Sequence, residues 1–196
     1  MVLPLEKKKG SIIAISAPSG TGKTTIVRRI LEDIPELVFS VSATTRKKRR
    51  DEKEGVHYFF ITEEEFKKKI KNNEFIEWEK FYDYYYGTYK KVVNDAVNSG
   101  KSILLEVDVK GALSLKSIYP DSVLIYIVPP SFEELVNRLV KRKTESKADL
   151  QKRIERAKME LGLKNKFDYF IDNTDLDKAV LETEKLISKI ISKEKK

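Results

Sequence analysis

Cysteine is absent from the 196 residues, so neither a disulfide framework nor a thiolate metal site is available. Histidine occurs once, at His57, where Val56 and Tyr58 on either side point to packing rather than to a general base. No apolar run is longer than a strand, so no transmembrane helix is expected. The opening MVLPLEKKKG lacks the long apolar stretch of a signal peptide, and a cytoplasmic location is the expectation. There is no internal repeat and no low-complexity segment. What is present is a 40% apolar fraction, enough for one domain with a real core, and a formal charge of +8. That charge suits an anionic partner, but Lys7, Lys8, Lys9, Lys193, Lys195 and Lys196 crowd the two ends. No basic motif interleaved with aromatics marks a nucleic-acid surface, so neither nucleic acid nor a membrane is expected as partner.

Short apolar runs at Ser11–Ser16, Ser102–Val107, Ser122–Val128 and Tyr169–Asp172 read as strands buried on both faces of a parallel sheet. Helical patterns fall between them at Thr24–Glu32, Val92–Asn98, Ser131–Arg142 and Leu176–Ser192. Strands alternating with helices predict a three-layer α/β core with right-handed crossovers. Two segments break the rhythm. Residues 37–90 read as an inserted α+β lobe with strands at Leu37–Ser42, His57–Ile61 and Phe75–Tyr82, around a helix that Thr62 and Glu65 open as a capping box. Residues 138–158 are charged and helical, with KRKTESKAD as a polar break, the composition of a mobile lid. The expected division is a core of residues 10–36, 91–137 and 159–192, the lobe and the lid.

The first strand runs into SAPSGTGKTT. Ala17, Pro18, Ser19, Gly20, Thr21, Gly22, Lys23, Thr24 and Thr25 nearly spell the phosphate loop G-x-x-x-x-G-K-[ST], with alanine in place of the first glycine. Successive backbone N–H groups and the following helix N-terminus make an anion cradle. Lys23 suits the β- and γ-phosphates, and the Thr24 hydroxyl suits Mg²⁺. Ala17 is tolerable so long as its backbone is not left-handed. Two further patterns, DVKG from Asp108 and NKFD from Asn165, match a regulatory GTPase in letter. A guanine-reading N-K-x-D sits at the end of a buried strand, however, and NKFD here follows the charged helical ERAKMELGLK and precedes the apolar YFIDN. It reads as a helix end entering a strand.

The lobe supplies Arg46 and Arg49 beside hydroxyl groups, then Tyr58, Glu77, Tyr86 and Thr88 in order. On that set behind a phosphate loop, the chain resembles guanylate kinases over about residues 10 to 192, which implies a P-loop kinase core, a GMP-binding lobe and a helical lid. The resemblance implies ATP and GMP, with dGMP, as substrates and Mg²⁺ as the metal. It places Ser42, Arg46, Arg49, Tyr58, Glu77, Tyr86, Thr88 and Asp108 around GMP. The chemistry agrees. Guanine presents N1–H and N2–H₂ as adjacent donors that one carboxylate accepts together, whereas adenine would leave Glu77 buried and unpaired. Arg138, Arg142 and Arg153 match lid arginines that close over the ATP phosphates, and Asn173 matches a neighbour of the donor adenine. Glu106 or Asp108 could order metal-bound water. Lys110, Lys143 and Thr174 depart from the family's usual glutamine, glycine and aspartate. A catalytically silent binding module of the same fold is the alternative from another class, against which Lys23 and both clamp arginines are retained. Monomer and homo-oligomer are both open.

Overall fold

A five-stranded, wholly parallel sheet forms the centre of the computed structural model, which describes residues 9–81, 83–141 and 147–194. Its strands are β1 (Ile12–Ser16), β2 (Val38–Phe39), β7 (Ile103–Glu106), β8 (Val123–Val128) and β9 (Tyr169–Asp172), in the order β2-β7-β1-β8-β9. Helices α1 (Lys23–Asp33), α3 (Lys90–Asn98), α4 (Val109–Ile118), α5 (Phe132–Lys141), α6 (Lys147–Gly162) and α7 (Leu176–Glu194) connect or flank them. The period-2 alternation of β1 divides the core into two. Ile13 and Ile15 pack with α1 and α7, while Ile12 and Ala14 pack with α3 and α4. Both faces of β1, β7 and β8 are therefore covered, which is why these strands read as continuous apolar runs. Strand β9 is not buried on both faces as expected: it lies at the sheet edge, where Ile171 is buried and Tyr169, Phe170 and Asp172 are exposed.

The second sheet, in the order β4-β3-β6-β5, comprises β3 (Ala43–Thr44), β4 (Phe59–Phe60), β5 (Phe75–Phe81) and β6 (Tyr84–Tyr89). It is held by the stacked pair Phe66–Phe75 over Ala43, beneath α2 (Glu63–Lys71). Thr62 and Glu65 make the expected capping box at the start of α2.

Three further expectations need correction. The strand expected within Leu37–Ser42 belongs to the core, because Val38 and Phe39 pair with Ile103 and Leu104 in the main sheet. The expected division at residues 138 and 158 cuts α5 and α6, each of which runs on as one hydrogen-bonded helix. The pattern reading also omitted α4, whose Val109, Ala112 and Leu115 bury one stripe, and β6, which closes the hairpin with β5. NKFD behaves as read: Lys164–Lys166 form a 3₁₀ turn, and the chain then enters β9.

Candidate active site

The carboxyl ends of parallel neighbours β1 and β7, where α/β sheets form their ligand crevice, carry the phosphate loop on one side and Glu106 and Asp108 on the other. The phosphate loop follows β1. Gly20 and Gly22 have φ of 94° and 95°, left-handed values at which a side chain would be strained. Ala17 is buried and is not in that region, so the missing glycine costs nothing in backbone strain. Thr21 turns its hydroxyl inward onto Pro18 O (2.8 Å), which tightens the loop. The Asn173 amide donates to Thr21 O (2.6 Å). Where the resemblance implies a neighbour of the adenine, this buried side chain acts as a strut under the loop. Lys23 Nζ donates to Val107 O (2.6 Å) at the end of β7. Thr24 Oγ1 donates to Glu106 Oε1 (2.6 Å), so a hydroxyl and a carboxylate oxygen, both hard donors, meet at the start of α1. Ser19 and Thr25 lie on the same loop and first turn, with Thr25 exposed.

Across the crevice, Thr88 on β6 donates its hydroxyl to Glu77 Oε1 on β5 (2.6 Å), the two residues being direct cross-strand partners. Burial pushes the Glu77 carboxyl up to about 7; Asp108 and Glu79 add to the rise, while Thr88 and Lys23 oppose it. Asp108 caps α4 by accepting from Gly111 N (2.6 Å). Gly111 is where the two acids converge. A Cβ there would stand 3.0 Å from Glu77 Oε2 and 3.2 Å from Asp108 Oδ1, so a larger residue would push the carboxylates back by a few tenths of an ångström.

A second polar group lies further out on the lobe. Arg46 forks onto Glu52 (2.9 and 2.7 Å) and lies 5.5 Å from the Tyr58 ring, which in turn meets the Tyr86 ring edge-on at 6.0 Å. The Arg46 guanidinium lowers the Glu52 carboxyl to about 2, and burial raises the Tyr58 phenol to about 12. Glu52 also accepts from the Arg49 backbone N–H (2.8 Å), so one carboxylate holds both the Arg46 guanidinium and the backbone that presents the exposed Arg49 side chain. Ser42 enters the lobe half-buried, its backbone carbonyl accepting from Phe59 N–H (2.9 Å).

Of the lid arginines, Arg138 pairs with Glu134 one helical turn away (2.9 Å), and Arg153 lies over the Phe81 ring at 5.5 Å. Arg142 and Lys143 lie outside the described residues. The sequence reading passed over Glu52, Glu79, Arg156 and Glu160. Arg156 donates to Glu79, Asp108 and Glu160 from three parts of the fold. Two signals were available for them: Glu79 repeats Glu77 at strand spacing, and Arg156 and Glu160 stand at helical i, i+4.

A family model described as guanylate kinase matches residues 9–190. The guanylate kinase of Caldanaerobacter subterraneus subsp. tengcongensis is 46% identical over 174 residues, 89% of this chain and 84% of the relative. That of Thermotoga maritima is 45% identical over 172 residues, 88% and 83% of the two chains. Among solved structures, guanylate kinase from Anaplasma phagocytophilum superposes with a TM-score of 0.74 at 35% identity, covering 96% of this chain and 87% of that one.

Proposed function

Since the chain belongs to the guanylate kinase family, and so transfers the γ-phosphoryl group of ATP to GMP to give ADP and GDP, we propose how its residues divide that work. The phosphate loop with Lys23 holds the donor phosphates. Arg46 and Arg49 hold the acceptor phosphate, with Tyr58 and Tyr86 beside them. Glu77 and Thr88 read the guanine edge, with Asp108 alongside. The P–O bond between the γ-phosphorus and the β–γ bridging oxygen breaks, its electron pair leaving on ADP, and an oxygen of the GMP phosphate forms the new bond. The acceptor is already an anion, so no general base is needed; alignment and positive charge are the chain's contribution.

The Thr24–Glu106 pair fits Mg²⁺, an ion that binds through one or two protein oxygens together with phosphate and water. Thr24 would hold it directly and Glu106 through water; when bound it neutralises charge on the β and γ oxygens. Arg138 and Arg153, from α5 and α6, would add charge from the lid side. The reading includes dGMP as acceptor and places the enzyme in the cytoplasm, where its nucleotide substrates are.

The observation that carries the base assignment is the Glu77–Thr88 pair, a half-buried carboxylate and a buried hydroxyl side by side. Adenine would set its bare N1 lone pair against Glu77 and leave that acid unpaired, a penalty worth roughly 10⁴-fold in discrimination. An ADP-release assay across AMP, GMP, CMP and UMP tests it. Strong preference for GMP is expected, and equal turnover of AMP and GMP would remove the assignment.

A further inference from the structure

Glu77, Glu79 and Phe81 alternate along β5 and share one face of the strand. Each meets a different part of the molecule. Glu77 lies against Thr88 and the first turn of α4. Glu79 takes both terminal nitrogens of Arg156, at 3.0 and 2.7 Å. Phe81 lies under the Arg156 guanidinium at 5.0 Å. Arg156 itself, on α6, also donates to Asp108 Oδ2 (2.6 Å) and, through Nε, to Glu160 Oε1 (2.8 Å). One planar guanidinium therefore ties the strand that carries Glu77 to the acid that caps α4 and to the lid-side helix.

Asp108 has both oxygens committed, one to Gly111 N–H and one to Arg156, so its plane is held by two bonds from different elements. Glu79 sits two residues beyond Glu77 on the same strand, so its tether to Arg156 limits how far that end of β5 can swing from α4. We propose that Arg156 is a positioning residue for base recognition: it holds Asp108 and β5 so that the Asp108 and Glu77 carboxylates face one donor edge. The proposal rests on the reading that Glu77 accepts from guanine. A guanidinium is required because only a rigid planar fork reaches Glu79, Asp108 and Glu160 together, where an ammonium is a point charge. Glu160 supplies the anchor. It is 2% exposed, and among the described residues its Oε2 has no hydrogen-bond partner while Oε1 accepts from Arg156 Nε (2.8 Å), so Arg156 is the cation that opposes the cost of burying it most strongly.

Kinetics separate this role from that of a merely structural ion pair. KM for GMP, KM for ATP, kcat and Tm are measured for the parent enzyme, Arg156→Met, Arg156→Lys, Glu79→Ala and, as a control, Glu77→Gln. Arg156→Met is expected to raise KM for GMP about tenfold or more, while kcat and KM for ATP stay within about threefold. Arg156→Lys should recover part of the loss. Glu79→Ala, which cuts only the lobe arm at a side chain 30% exposed, should raise the same constant less. A lower Tm with KM for GMP unchanged would overturn the proposal. Should Arg156→Met fail to fold, the other two decide: KM for GMP within about twofold of the parent in both overturns the proposal. If Glu77→Gln alone impairs GMP use, the base-site reading stands and this inference falls. If Glu77→Gln has no effect, both fall.

Discussion

Glu77 is poised for its task at a cost to the fold. An acid raised to about 7 is protonated in the folded state at pH values where the unfolded chain has already released its proton. The native state then binds more protons than the unfolded one, so this group's contribution to stability declines as pH rises from the ordinary carboxylate range to about 7. Glu77→Gln should therefore raise Tm at pH 8, by about 2–4 °C per kcal/mol relieved, while damaging the use of GMP. Binding has the opposite sign. Guanine needs the ionised carboxylate, so KM for GMP should fall as pH rises through about 7. The phosphate of GMP also titrates, near pH 6. The parent profile is therefore compared with that of Glu77→Gln, and identical profiles would show that Glu77 does not contribute. Lys23→Ala should reduce kcat by at least about 10²-fold, because an electrostatic group aimed at developing charge is lost without a substitute.

Among the elements, the β5–β6 hairpin sets the spacing of the base site, and Gly87 is its tightest point. A Cβ at Gly87 would meet Phe66 Cζ at 3.0 Å, Phe75 Cδ1 at 3.1 Å and the Glu77 carbonyl at 3.2 Å. Two of these neighbours are aromatic rings stacked on each other, and neither can yield alone. Gly87→Ala is expected to destabilise by about 1–3 kcal/mol and to raise KM for GMP more than KM for ATP. Thermal melts with paired kinetics check both parts. Strand β2 shows what pattern reading misses at this scale. Leu37–Ser42 is apolar and alternating in either sheet; which edge it joins depends on β7, more than sixty residues away in the chain. Helix α4 was legible in principle, since Asp108 caps it and Val109, Ala112 and Leu115 recur at helical spacing.

Over the whole molecule, buried apolar contact is uneven. The two faces of the parallel sheet carry broad clusters, while the lobe closes over Ala43, Phe66 and Phe75. Small cores open locally at lower free energy. Amide hydrogens of β3 to β6 should accordingly exchange faster than those of β1, β7 and β8, and GMP should slow the lobe selectively. Uniform exchange, or protection by GMP confined to the phosphate loop, would contradict this placement of the acceptor. Saturating GMP should also raise the apparent stability by about 2.7 kcal/mol at a hundred times its dissociation constant.

The sequence by itself determined what depends on neighbours in the chain. The phosphate loop needs only a strand, two permissive glycines and a helix start in succession, and the strand and helix periods follow from which residues are apolar. The resemblance added the order of Arg46, Arg49, Tyr58, Glu77, Tyr86 and Thr88. Tertiary structure decided the pairings between distant residues: Glu52 under Arg46, Asn173 under the loop, and Arg156 between Glu79, Asp108 and Glu160. Charged side chains in a 36% charged sequence have many possible partners, and nothing local chooses among them. Burial does, because a carboxylate withdrawn from water must find a cation or a donor where the packed backbone has put it.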